Sequence, residues 1–135
     1  MHIIIGGAHN GKRTYVQQQL ANTAHQWVNC SNTENCFGDW HPTGIVVIEK
    51  IEQWLAQTDL PEAQAIDHIL SAVEGRNTLF ILTDFGRGIV PMDAKQRALR
   101  DTCGRLYQQL FARADEVTRI WYGIPQTIKK RGERI

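Results

Sequence analysis

Three runs of branched apolar residues punctuate the chain. HIII (residues 2–5) stops at Gly6, IVVI (45–48) runs into Glu49, and TLFILT (78–83) runs into Asp84. A short, unbroken apolar run bounded by turn or acidic residues predicts a strand buried on both faces, as in a parallel sheet. QWVNC (26–30) predicts a further short strand, and EVTRIWYG (116–123) with IPQTIKK (124–130) predicts two final ones. The segments between change to helical spacing. KRTYVQQQLANTA (12–24) places Tyr15, Val16 and Leu20 roughly on one face. DLPEAQAIDHILSAVEG (59–75) repeats Ile66, Ile69, Leu70 and Val73 at helical intervals. In that segment Asp59 is expected to cap, Glu62 to complete a capping box and Gly75 to stop the helix. MDAKQRALRDTCGRLYQQLFARA (92–114) is the longest helical stretch; Asp93 and Gln96 form its capping box, and Leu99, Cys103, Leu106 and Leu110 its apolar stripe. Residues 29–44 carry turn chemistry. Strands that alternate with helices predict an α/β fold of three layers, with a largely parallel sheet covered on both faces.

Composition narrows the function classes. A chain of 135 residues, 42% hydrophobic and 21% charged, fits one globular domain over residues 1–135. Net charge is +1, so no dominant pull toward nucleic acid or a membrane surface is expected. No apolar run is long enough to span a bilayer, and MHIII lacks the parts of a signal peptide, which makes the cytoplasm the expected compartment. The basic cluster KKRGER (129–134) reads as a solvated tail. Cys30, Cys36 and Cys103 are too few for a disulfide framework, and His25, Cys30, Cys36 and His41 lack the spacing of a zinc knuckle. Four scattered tryptophans offer no stacking platform for bases.

The chemistry concentrates in GGAHNGKR (6–13). It has the glycines and lysine of the phosphate-binding pattern G-x-x-x-x-G-K-[ST], set between a strand and a helix as that loop requires. The expected ligand-binding residues are Gly6, Gly7, Ala8, His9, Asn10, Gly11, Lys12, Arg13 and Thr14. Successive N–H groups wrap a phosphate, the helix N-terminus adds partial positive charge, and Lys12 reaches the outer phosphates of ATP or GTP. Arg13 stands where a hydroxyl normally ligates Mg²⁺. A guanidinium has no acceptor and repels a cation, so binding largely independent of Mg²⁺ is expected. Two dispositions follow for Arg13: its fork pairs with phosphate oxygens, or it points to solvent and a carboxylate holds the metal. Glu49 and Asp84 are the candidate carboxylates, each at the carboxyl end of a strand, and with Lys12 they are the expected catalytic groups. GRGIVP (86–91) reads either as a ligand loop or as a turn into the long helix.

Taken together, IIIGGAHNGKRTY, IVVIEKIEQWL and ILTDFGRGIVPMDAKQRALRDTCGRLYQQLFARADEVTRIWYGIPQTIK resemble the adenosylcobinamide kinase/adenosylcobinamide-phosphate guanylyltransferase family of cobalamin biosynthesis. The resemblance implies a RecA-like P-loop NTPase fold and a homo-oligomer, with a trimer favoured. It also implies phosphoryl transfer from ATP or GTP to adenosylcobinamide, then guanylyl transfer from GTP through a covalent histidine. By that resemblance Gly6, Gly11 and Lys12 match the phosphate loop, Glu49 the acidic strand end, and Asp84 a position usually held by glutamate. Three departures stand out. Arg13 replaces the loop's hydroxyl, the connection from Glu49 to Thr78 is short, and the arginine- and histidine-rich helix that carries the covalent histidine is missing. His41 is the nearest substitute for that histidine, without a matching motif around it. A catalytically impaired relative that binds nucleotide or corrinoid is the alternative.

Overall fold

The computed structural model describes residues 1–7, 11–31, 36–84 and 93–130. Its centre is a six-stranded sheet in the order β2-β3-β4-β1-β5-β6. The strands are β1 (His2–Gly6), β2 (His25–Asn29), β3 (Ile45–Glu49), β4 (Thr78–Thr83), β5 (Glu116–Trp121) and β6 (Ile124–Lys130). The first five are mutually parallel, and β6 closes one edge antiparallel to β5. Two residues, Tyr122 and Gly123, make the β5–β6 turn, both at positive φ (48° and 76°). That geometry matches the right-handed twist of the paired strands.

Helices α1 (Lys12–Gln19), α2 (Ile51–Gln57), α3 (Glu62–Val73) and α4 (Ala94–Arg113) complete three layers. On one face Ile3, Val46, Ile48, Phe80 and Leu82 pack under α2, α3 and α4. On the other, Ile4, Val47, Leu79, Ile81 and Ile120 pack against Val16 and Leu20, and the helical share of this second core comes from α1 and its C-cap. The continuous branched runs are therefore buried on both faces, as their lack of alternation predicts.

The sequence expectations at α4 hold. Asp93 accepts from the Gln96 N–H, Gln96 answers to the Asp93 N–H, and Cys103, Leu106 and Leu110 are buried. Two other helix ends differ. α1 stops at Gln19, well short of Ala24. α3 begins at Glu62 behind Pro61, with no side-chain cap, so the capping box expected from Asp59 and Glu62 does not form. Proline fixes the entry, and the Glu62 carboxylate instead takes bonds from Arg105 Nε (2.8 Å) and Thr102 Oγ1 (2.7 Å) of α4.

Candidate functional site

The carboxyl ends of β1, β3 and β4 meet at one edge of the sheet. β1 leads through α1 to β2 on one side, and its neighbour β4 leads through α4 to β5 on the other, so the connections from these two adjacent strands run in opposite directions. Open parallel sheets bind ligands at such a switch point. Gly6 ends β1, and α1 starts at Lys12 behind Gly11, which takes a left-handed conformation (φ 81°). Two glycines have distinct physical reasons here. A Cβ on Gly6 would lie 2.5 Å from the Ile120 carbonyl oxygen of β5, and Gly11 needs its positive φ to turn into the helix while the β5–β6 turn abuts it at Gly123.

Lys12 is the best-defined group of the site. It is only 9% exposed, and its ammonium donates to the carbonyls of Gly6 (2.9 Å) and Gly7 (2.8 Å). The loop holds the amine folded back over its own backbone. Burial pushes the Lys12 amine below the usual lysine range; Glu52 pulls it back, Lys50 adds to the depression, and Asp84 opposes it weakly. Asp84 is exposed just past β4, and its N–H donates to the Gly6 carbonyl (2.9 Å), which ties β4 to the loop's first residue.

Arg13 turns to partners within the chain. Its guanidinium donates to Glu49 Oε1 (2.8 Å) and stacks over the Trp27 ring of β2, 4.8 Å from the centroid. The arginine side chain is 58% exposed and the carboxylate 8%. One partner is thus sealed and the other half in water. Thr14 is exposed on α1. Ala8, His9 and Asn10, the GRGIVP loop (86–91) and most of the basic tail lie outside the described residues.

These groups do not fit a resident Mg²⁺. The hydroxyl's position is a guanidinium, that guanidinium has engaged Glu49, and among the described residues no three acidic, histidine or cysteine side chains converge.

His41 is placed elsewhere. Its carbonyl accepts from Arg76 (2.6 Å) and its ring bonds Thr43. Arg76 precedes β4 and Thr43 precedes β3, so both lie at the amino ends of those parallel strands. The histidine therefore sits at the edge of the sheet opposite the glycine loop that runs from Gly6 to Lys12.

Sequence reasoning missed Glu52. The residue is 9% exposed, and among the described residues its Oε2, sealed from solvent, has no hydrogen-bond partner. Its charge reaches Lys12, Cys30, Cys103 and Tyr107. The three neutral neighbours hold their protons. The Cys30 thiol is pushed up first by a bond with Cys36 and then by burial. Burial, with Glu52 adding to it, pushes Cys103 up to about 12 and Tyr107 higher still. Lys50, in a left-handed conformation (φ 64°), turns the chain between β3 and α2. Glu49 then faces Trp27 and α1. The signal available in the sequence was an acid inside the apolar face Ile51, Trp54, Leu55, all three of which are buried.

No curated protein matches the chain. A family model, cobinamide kinase / cobinamide phosphate guanyltransferase, matches residues 33–128, which include Glu49, Glu52, Asp84 and α4 but leave the glycine loop outside. The sheet flanked by helices agrees with the P-loop NTPase-like fold of that family. With more than half of its length matched, the chain belongs to the cobinamide kinase / cobinamide phosphate guanyltransferase family.

Proposed function

We propose that this chain binds ATP or GTP at residues 6–14 and transfers the terminal phosphoryl group to the hydroxyl of adenosylcobinamide, in the cytoplasm, as one domain spanning residues 1–135. The observation that carries the reading is Lys12: a buried ammonium held at two loop carbonyls, at the switch point of the sheet. Phosphoryl transfer is mostly positioning and charge neutralisation, and a dry, preplaced cation supplies both. Saturating nucleotide should raise the melting temperature, since a ligand specific for the folded state stabilises by mass action. Lys12→Ala should abolish that rise. A full rise in the variant would move the site elsewhere, and no rise with any nucleotide would end the proposal.

The guanylyl-transfer half of the family activity is proposed to be absent. His41 lies at the far edge of the sheet, and the histidine-rich helix is missing from the sequence. Intact-mass measurement after incubation with GTP should show no added GMP; an adduct in good yield would overturn this. A second reading, a relative that binds nucleotide without turnover, is favoured by the Arg13–Glu49 pair, which occupies a candidate carboxylate. Binding without phosphorylated product would select it.

Self-association, with a trimer favoured, is proposed through the β5–β6 hairpin. Ile124 and Ile128 are exposed on the edge strand β6, beside Trp121 at the end of β5 and Tyr122 in the turn, and open edges invite pairing. Ile124→Lys with Ile128→Lys should reduce the mass seen by light scattering to that of a monomer. A monomer in the unsubstituted protein would count against it.

A further inference from the structure

Among the described residues, the exposed tryptophan and tyrosine side chains are Trp121 (59%) and Tyr122 (76%), side by side at the β5–β6 turn. Their ring centroids lie 5.3 Å apart with the planes at 60°, so the rings make an open corner rather than a closed stack. Tyr122 keeps its place at a cost. It sits in a two-residue turn at φ 48°, where asparagine, aspartate or glycine is at ease and a bulky side chain is strained. Strain retained at an exposed aromatic residue points to a use for its ring. The turn also touches the glycine loop directly. A Cβ on Gly11 would lie 3.6 Å from the Gly123 Cα and 3.9 Å from its nitrogen. The corner and the start of α1 are thus neighbours by backbone geometry, and both rings are open to solvent.

The strand order gives a nucleotide its direction. β1, which feeds the glycine loop, has β4 and Asp84 on one side, with β3 and Glu49 beyond. On its other side lie β5 and the aromatic corner. A nucleotide is elongated, anionic at one end and aromatic at the other. With its reacting phosphate toward the strand-end acids, its base extends across Gly11 to the β5–β6 turn. Trp27 lies on the acid side, and Arg13 already covers its ring. We infer that Trp121 and Tyr122 form the seat of the nucleobase, which stacks on one ring and is flanked by the other. This rests on the nucleotide-binding reading above and adds to it the group that holds the base. Stacking uses the π-face that every base possesses, so the flat ring system is what the seat recognises.

The test uses the full chain and titration calorimetry, with ATP and inorganic tripolyphosphate as probes. The parent should bind ATP more tightly than tripolyphosphate, which has no base to stack. Trp121→Thr with Tyr122→Asn removes both rings and supplies residues suited to a strand and to a turn at positive φ. ATP affinity should fall about 5- to 150-fold, the loss expected when base–aromatic stacking is removed. Tripolyphosphate affinity should be unchanged, which reports an intact glycine loop. Tyr122→Phe keeps the ring and should bind ATP as the parent does. Parental ATP affinity in the double variant overturns the inference. Equal losses for ATP and tripolyphosphate also overturn it, by making the rings a support for the loop. A lower mass by light scattering that accompanies the ATP loss overturns it by making the rings an interface between copies. If the parent binds neither probe, the nucleotide-binding reading fails and the seat with it. If the parent binds both probes equally, that reading stands and the seat alone fails.

Discussion

Arg13→Ala and Glu49→Gln, singly and together, measure whether the ion pair between α1 and the end of β3 exists in solution. Breaking a fully buried ion pair by removing one partner costs about 3–5 kcal/mol. An exposed pair is worth about 0–1 kcal/mol. Here the carboxylate is sealed at 8% exposure and the guanidinium is 58% exposed, so the pair falls between, at about 1–2 kcal/mol. Stacking of the guanidinium on Trp27 contributes a further ~0.5–1 kcal/mol, as for an exposed cation–π contact. Arg13→Ala should therefore destabilise by about 2 kcal/mol, which lowers the melting temperature by roughly 6–10 °C in a chain of this size. Glu49→Gln should cost less, about 1 kcal/mol, because its amide oxygen still accepts from Arg13 and no charge is stranded. Urea unfolding of all four proteins gives the coupling energy, expected at about 1 kcal/mol. A coupling under about 0.3 kcal/mol would mean that the two side chains do not meet, and would return Arg13 to the phosphate oxygens.

Three further outcomes are expected. Lys12 binds anions only when protonated and its amine lies below the usual lysine range, so nucleotide affinity should decline at a pH where an ordinary lysine is still charged. Lys12→Arg should remove that decline, and titration calorimetry across alkaline pH reads both. Burial lowers the His2 pKa: the unfolded chain takes the proton near the ordinary value of about 6.5, the folded one only at lower pH. Stability is thus complete above about pH 6.5 and drains away as pH falls through the folded value. His2→Asn should flatten that slope in urea midpoints measured on the acid side; an unchanged slope would place its origin elsewhere. Gly6→Ala should cost about 1–3 kcal/mol by forcing β1 from the Ile120 carbonyl, and should weaken nucleotide stabilisation with it. A variant as stable as the parent would refute the close approach.

The sheet was legible because each central strand is an unbroken branched run with an abrupt polar end, and α4 because its capping box and stripe agree. α3 was harder: Pro61 sets its start, and Glu62, which looks like a capping residue, is claimed by Arg105 from a helix 43 positions away in the chain. The same limit applies to the site. Lys12 and the strand-end acids follow from local pattern. The partnership of Arg13 with Glu49 joins residues 36 apart, and no local spacing reports such a pair. Glu52 was hidden by its setting, since a seven-residue helix after a strand gives too few turns for one acid on the apolar face to stand out.

α1 is built as an unfinished helix. It has eight residues, no side-chain cap at Gly11, no acid in its first turn and no base in its last. It nevertheless furnishes the helical cover of the second core. An anion seated on the first N–H groups would act as the missing N-cap and would complement the helix dipole. The ligand would then become part of the protein's architecture: its arrival would finish α1 and, through Val16 and Leu20, tighten the face of the sheet that α1 covers. Amide hydrogen exchange should register this as slowed opening of α1, Val47 and Leu79 when nucleotide is bound, with α3 and α4 changed far less.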